Sequence, residues 1–193
     1  MKNSIVGAAL VAVAGLVGSA SAGVIFSNIT IGGSLSAGAV AIPGLSDLDF
    51  IFPAAQVGDT VDPIRSGNIV ITYEAMGSDE DFNGMLAFIL GALSGSGQIF
   101  FNEVIEDLNG GGVIGSYSAN ITSNSQLPFY DTIDFSKSSN HIKVKKTIVF
   151  DGIDTAGFDM ANVSLVEQRL IPTPGSALLL GVAALPLARR RKA

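Results

Sequence analysis

The stretch HIKVKKTIVF, residues 141–150, decides the fold class of this 193-residue chain. Along an extended backbone, successive side chains point to opposite faces. One face of this stretch is apolar and carries Ile142, Val144, Ile148 and Phe150, whereas the other carries His141, Lys143, Lys145 and Thr147. This period of two predicts a half-buried β-strand with one solvated face.

Shorter runs of the same kind occur between residues 23 and 170, separated by Gly, Pro, Asn and Asp. We expect Ile25, Ile29 and Ile31 on one strand face, and Ile69, Ile71 and Tyr73 on another. Gln98–Ile105 and Val163–Leu170 are further strand candidates, the second with a change of phase near Val166 that indicates a bulge. The apolar run Met85–Leu93 fits a buried strand or a short helix, and its length and flanking glycines favour the strand.

Strands at this spacing, with turn signals between them, predict an all-β chain: a single antiparallel β-sandwich, jelly-roll-like in type. We expect a signal peptide over residues 1–22, the sandwich over residues 23–170 and a sorting tail over residues 171–193. Because the chain has no cysteine, disulfides, thiol catalysis and Cys-ligated metals are excluded. The hydrophobic core must therefore stabilise the domain. A domain of about 150 residues buries roughly 68–70% of the surface that its unfolded chain exposes, which is enough for a stable core.

The charge of the chain is strongly uneven. Residues 23–173 hold all seventeen Asp and Glu but only six Lys and Arg, a net charge of −11, and the other five basic residues are terminal. An acidic surface repels the phosphate backbone at long range. Nucleic acid is therefore a disfavoured partner.

The N-terminus has the three parts of a secretory signal. Lys2 supplies a positive start, and Ile5–Gly18 is an uncharged apolar stretch shorter than the roughly 20 residues of a membrane span. Ala20 and Ala22 flank Ser21 in the small-x-small pattern that signal peptidase accepts. We expect signal peptidase to cleave before Gly23, and a retained N-terminal anchor is the alternative.

Three elements follow one another at the C-terminus. Pro172, Thr173 and Pro174 form a step that holds the backbone extended. The apolar run Ala177–Ala188 comes next, interrupted by Pro186, and we expect it to form a short hydrophobic helix. Four cations end the chain: Arg189, Arg190, Arg191 and Lys192. By the positive-inside rule these cations hold the end on the cytoplasmic side, so the segment is predicted to stop in the membrane transiently.

This order resembles the C-terminal sorting segment of PEP-CTERM proteins, which exosortase-type membrane transpeptidases process. The resemblance extends more loosely to Thr147–Gly152 and Asn162–Gln168. The family motif is Pro-Glu-Pro, and Thr173 takes the middle position here, which is similar to the Pro-Thr-Pro variants. A Gram-positive sortase signal would need Leu-Pro-x-Thr-Gly, which residues 171–175 do not match. A plain hydrophobic C-terminal helix would not explain the clustered arginines.

The resemblance implies that Pro172, Thr173, Pro174 and the arginine cluster are the recognition elements for processing. It also implies an exosortase-like transpeptidase as a partner, together with the membrane before processing. The implied localisation is the cell envelope or the extracellular space, with transient anchoring by the tail.

The best candidate for a metal site is Asp79, Asp81 and Asn83, followed by Gly84. Oxygen ligands at alternate positions before a glycine are typical of the first half of a calcium loop. Leu90 stands where that loop needs a bidentate Glu, so a solvated turn is the commoner explanation. Calcium is thus the one cofactor that the sequence suggests, and only weakly.

The other acidic residues are weaker candidates for a metal or catalytic site. Asp151, Asp154 and Asp159 fit turn chemistry better than a second calcium loop. Asp131 and Asp134, beside Tyr130, are imaginable as the carboxylate pair of a glycoside hydrolase, but acids are abundant in this chain. His141 is expected to be exposed on a strand, and no Gly-x-Ser-x-Gly supplies a nucleophile for it. We predict no catalytic residue and no enzyme.

The leading hypothesis is an exported, non-enzymatic surface or matrix protein. An association with exopolysaccharide follows from the resemblance alone. The alternative is a secreted carbohydrate-binding module, for which eleven Phe are available but only three Tyr and no Trp. A glycan hydrolase that uses the acidic loops is the third hypothesis.

Overall fold

The computed structural model describes residues 11–12, 23–61, 64–78, 80–152 and 157–173. The predicted signal peptidase site at Ala20 and Ala22 lies outside the described residues. So do Pro174, the predicted hydrophobic helix and the arginine cluster of residues 189–191. Within the described part of the chain, no helix has the length and apolar character needed to cross a membrane.

The described residues form twelve strands and two short 3-10 turns. In chain order the strands are β1 (Val11–Ala12), β2 (Val24–Gly32), β3 (Val40–Pro43), β4 (Asp47–Ile51), β5 (Gln56–Gly58), β6 (Ser66–Gly77), β7 (Phe82–Ser94), β8 (Gln98–Asp107), β9 (Val113–Ile121), β10 (Phe129–Ser139), β11 (His141–Asp151) and β12 (Met160–Pro172). The 3-10 turns are Asp59–Val61 and Asn124–Gln126.

Two antiparallel sheets divide these strands. Sheet A has the order β1-β2-β6-β11-β8-β9, and sheet B has the order β10-β7-β12-β4-β3, with β5 paired to β12. One continuous apolar core lies between them. The predicted all-β antiparallel sandwich is therefore confirmed at this level, and the jelly-roll connectivity stays a prediction.

Strand β11 lies in the interior of sheet A. It pairs with β6 on one side and with β8 on the other, in unbroken antiparallel register. Its apolar residues Ile142, Val144, Ile148 and Phe150 are all fully buried. The inward face predicted from residues 141–150 is thus confirmed, and the buried Ile69, Ile71 and Tyr73 confirm the face predicted for β6.

The single face predicted for the isoleucines of β2 is wrong. Ile25 is 50% exposed, whereas Ile31 is buried. The pairing of β2 with β6 is irregular between Ser27 and Thr30, and Asn28 there has a φ of 51°. An irregularity of this kind shifts the alternation of side chains by one position, so residues on either side of it face opposite ways.

The strand favoured for Met85–Leu93 is confirmed as part of β7, which lies between β10 and β12. Its apolar residues lie on both faces of sheet B, and the outward Leu90 is 41% exposed. In β12 the register shifts between Val163 and Leu165. This shift confirms the bulge predicted close to that position.

Replacing Ile148 with Ala should lower the free energy of unfolding by about 2–5 kcal/mol, because it leaves a cavity in the core. Val149→Ala, on the outer face of the same strand, should cost less than about 1 kcal/mol. Urea denaturation of both variants measures the difference. Equal losses would contradict the assignment of inner and outer faces.

Candidate functional site

Three polar side chains interrupt the apolar interior between the sheets, and we call them the interior polar cluster. Lys146, Glu103 and Gln168 are all fully buried. The Lys146 Nζ lies 2.5 Å from Glu103 Oε1 and also donates to Gln168 Oε1. Gln168 Nε2 donates to the carbonyl oxygen of Leu86 at 3.0 Å. The lysine is therefore held between a carboxylate and a carboxamide.

The cluster joins the two sheets. Lys146 of β11 stands directly opposite Glu103 of β8 in the register of sheet A. Gln168 comes from β12, the strand between β7 and β4 in sheet B. These residues were not among the candidates predicted from the sequence, although a signal was present. The period of two places Lys146 among the apolar residues of β11, and Glu103 lies between Phe101 and Ile105 on the inner face of β8.

Burial dominates the electrostatics of the interior polar cluster. It raises the pKa of Glu103 and lowers the pKa of Lys146, because the interior disfavours the charged form of each group. The Lys146 Nζ also lies 5.4 Å from the centre of the Phe101 ring. Among the described residues, Glu103 Oε2 and the Tyr73 hydroxyl have no hydrogen-bond partner.

A different arrangement occupies the outward surface of sheet A, which we call the polar face. Its side chains alternate with the buried ones and include hydroxyls, amides and amines: Thr72, Lys143, Lys145, Thr147, Asn102, Ser116, Ser118 and Asn120. Asn102 Nδ2 donates to Ser118 Oγ at 2.7 Å. Phe100 is 46% exposed and stands beside Val149 and Asn120 in register. One aromatic ring therefore lies among groups that donate and accept hydrogen bonds.

His141 lies at one end of this face. Its side chain is half-buried, and its Nε2 is 3.7 Å from Glu74 Oε2 on β6. The histidine lies on the solvated side of its strand, as predicted, but it is not fully exposed as expected, because it contacts the neighbouring strand.

Two of the predicted processing residues lie at the end of β12. Pro172 is the last residue of that strand and is exposed. Both the backbone N–H and the hydroxyl of Thr173 donate to the carbonyl oxygen of Asp81, at 2.8 and 3.1 Å. The step that resembles a sorting motif thus begins where the fold ends, with no linker between them.

The calcium candidates are only partly described. Asp79 lies outside the described residues, Asp81 Oδ2 accepts a hydrogen bond from Ser138 at 3.4 Å, and Asn83 is exposed in β7. Within residues 11–12, 23–61, 64–78, 80–152 and 157–173, no three His, Asp or Glu side chains come together to hold a metal ion. A calcium site here stays a prediction.

Asp131 and Asp134 do not converge. Three residues apart on β10, they fall on opposite faces, with Asp131 half-buried and Asp134 exposed. Asp131 accepts a hydrogen bond from the Tyr117 hydroxyl, and this bond, with burial, raises the pKa of Tyr117 to about 12. The carboxylate pair considered for glycoside hydrolysis is therefore not formed.

Asp159 has a structural environment. It is fully buried, its Oδ1 accepts from the Ser96 N–H at 2.6 Å, and its own N–H donates to Asp59 Oδ2 at 2.8 Å. Asp59 also pairs with Arg65 at 2.5 Å. This is the turn chemistry expected for Asp159, whereas Asp154 lies outside the described residues.

Asp107 is held by several hydrogen bonds and an ion pair. It accepts from Ser139 Oγ at 2.6 Å and from the N–H groups of Asn109 and Gly110, and it pairs with Lys137 at 2.6 Å. Lys137 and Ser139 contribute most to holding the pKa of Asp107 far below its usual range. The carboxylate ties the turn after β8 to the end of β10.

No protein-family model and no curated protein matches this chain. Among solved structures, the carbohydrate-binding module TmCBM61 in complex with β-1,4-galactotriose is similar at a TM-score of 0.39 and 12% identity, over 76% of this chain and 90% of that one. A glycoside hydrolase family 43 arabinoxylan arabinofuranohydrolase from Bacillus subtilis is similar at a TM-score of 0.28 and 11% identity, over 75% of this chain and 38% of that one. Likenesses this weak carry no argument about ligand or activity.

The depressed pKa of Asp107 predicts a pH-dependent contribution to stability. The contribution is complete above the ordinary carboxyl pKa of about 4 and is lost as pH falls toward the lower folded value, because only the unfolded chain is then protonated. Asp107→Asn should therefore be less stable than the wild type at pH 7, and the deficit should shrink at pH 2.5. Urea denaturation at both values measures it, and a deficit independent of pH would show that packing rather than charge is lost.

Proposed function

We propose that this chain is an exported, non-enzymatic surface domain that a C-terminal sorting tail delivers to the cell envelope. The proposal rests on the place where the chain leaves the folded domain, at the C-terminal end of β12. Strand β12 continues into Pro172, and Thr173 is hydrogen-bonded to Asp81. The segment that resembles an exosortase signal therefore follows directly on a structured strand.

The position of β12 suits a domain that is held by its C-terminus. It pairs with β7 along almost its whole length and with β4 and β5 on the other side. Antiparallel ladder bonds lie perpendicular to the strands, so a pull along β12 loads many of them together. An attachment point at Thr173 would thus act on one of the best-supported strands of sheet B.

Processing at both ends is the direct test of the sorting proposal. Protein recovered from the envelope and the medium of the native host should lack residues 1–22 and the segment after the Pro-Thr-Pro step, by intact mass. Changing Arg189, Arg190 and Arg191 together to Ala should abolish the C-terminal cleavage, since the tail then loses the charges that hold it at the membrane.

Arg169→Ala is the matched control, because it removes an exposed arginine of β12 and leaves the tail unchanged. It should be processed like the wild type. A membrane-bound protein that keeps residues 189–193 would show a plain anchor, and the sorting proposal would then be withdrawn.

A second proposal concerns glycan binding and rests on the polar face alone. Sugars offer hydroxyls for hydrogen bonds and flat C–H surfaces for aromatic contact. Phe100 supplies an exposed ring, and Asn102, Ser118, Asn120 and Thr147 supply donors and acceptors around it. We propose that an exopolysaccharide chain lies across the strands here, with Phe100 beneath one sugar ring.

Phe100→Ala should weaken binding to a glycan identified on an array by about tenfold, equivalent to about 1.4 kcal/mol. Tyr130→Ala is the control, since Tyr130 is 71% exposed on β10 of the other sheet. Isothermal titration calorimetry of both variants with this glycan shows which of the two sheets binds it. Loss of binding in Tyr130→Ala with unchanged binding in Phe100→Ala would move the site to sheet B.

A further inference from the structure

A reactive amine, a carboxamide and an acid meet in the interior polar cluster. Lys146 Nζ touches Gln168 Oε1, one covalent bond from the carbonyl carbon Cδ, and lies 2.5 Å from Glu103 Oε1. All three side chains are fully buried, so bulk water does not compete for any of them. Reactants held in contact in this way react as though at very high concentration.

We propose that Lys146 and Gln168 condense to an intramolecular isopeptide bond, with Glu103 as the catalytic acid and base and with ammonia as the leaving group. The bond would link β11 of sheet A to β12 of sheet B covalently. This inference depends neither on the sorting tail nor on glycan binding.

The environment prepares each group for this reaction. Burial lowers the pKa of Lys146 and raises the pKa of Glu103, so the transfer of a proton from the ammonium group to the carboxylate, which leaves a neutral amine beside a neutral acid, is easier here than in water. A neutral amine has the lone pair that a nucleophile requires. Glu103 Oε2 has no partner within the described part of the chain, so it is available for the second proton transfer.

The steps balance without an oxidant or a reductant. The Nζ lone pair of Lys146 attacks Cδ of Gln168, a C–N bond forms, and the carbonyl π electrons move to Oε1. One oxygen of Glu103 takes a proton from the attacking nitrogen, while the other gives its proton to Nε2. The bond from Cδ to Nε2 then breaks, its electron pair leaves with the nitrogen as ammonia, and the carbonyl re-forms with Glu103 again neutral.

The Leu86 carbonyl has a positioning role. It accepts from Gln168 Nε2 at 3.0 Å, so it fixes the orientation of the carboxamide, with Oε1 toward Lys146. The amine thereby faces the carbonyl side of the amide, where the new bond forms. Phe101, with its ring 5.4 Å from Nζ, covers the cluster on the side of β8.

Mass spectrometry of the full chain after trypsin digestion tests the proposal. Residues 147–168 contain no Lys or Arg, so an unmodified chain yields the fragment 147–169. A Lys146–Gln168 link blocks cleavage after Lys146. It should instead yield the fragment 146–169 with a loss of about 17 Da, the mass of ammonia.

Site-directed variants test the role of each residue in forming the bond. Lys146→Arg and Glu103→Gln should both abolish the loss of mass, and circular dichroism should confirm that each variant is folded. Lys145→Arg is the matched control, because it changes the neighbouring lysine on the outer face and should keep the link.

Two results would overturn the proposal. One is a folded wild-type protein that yields only the unmodified fragment 147–169. The other is a link between fragments 66–137 and 146–169 with a loss of about 18 Da, the mass of water, which would place the bond on Glu103 instead of Gln168.

Discussion

The buried contact between Lys146 and Glu103 is the constraint on which the arrangement of the sandwich depends. Taking two charges out of water costs several kcal/mol for each ion, so the pair persists only where geometry and further hydrogen bonds compensate. The register of β11 with β8 brings the two side chains opposite each other, and Gln168 completes the set from the other sheet. A shift of one residue in either strand would leave a buried charge without its partner.

This constraint connects the core with the surface. The same alternation that buries Lys146 directs Lys145 and Thr147 outward, into the polar face. On β8 it buries Glu103 and exposes Phe100 and Asn102 in the same way. In sheet B, β12 buries Gln168 and then continues to Pro172 and the contact of Thr173 with Asp81. The interior polar cluster, the polar face and the exit of the tail therefore belong to a few strands in fixed register.

Much of the strand structure could be predicted because the period of two is strong where one face is buried. The inward faces of β6 and β11 and the bulge in β12 were all visible in the apolar pattern. The opposite directions of Asp131 and Asp134 follow from their spacing once both are placed on strand β10, since residues three apart on a strand face opposite ways. By contrast, the change of phase in β2 depends on Asn28 and its left-handed backbone, which no apolar pattern announces.

What the sequence by itself determined is the class of the fold and the acidic character of the domain, because these follow from periodicity and charge. The export and sorting signals at its ends stay predictions from the order of short segments. The tertiary structure alone decided which polar residues meet. Glu103, Lys146 and Gln168 are 43 and 22 positions apart along the chain, on strands of two different sheets. Their contact arises from the pairing of strands within sheet A and from the packing of sheet B on sheet A. Local sequence does not encode contacts between residues so far apart along the chain.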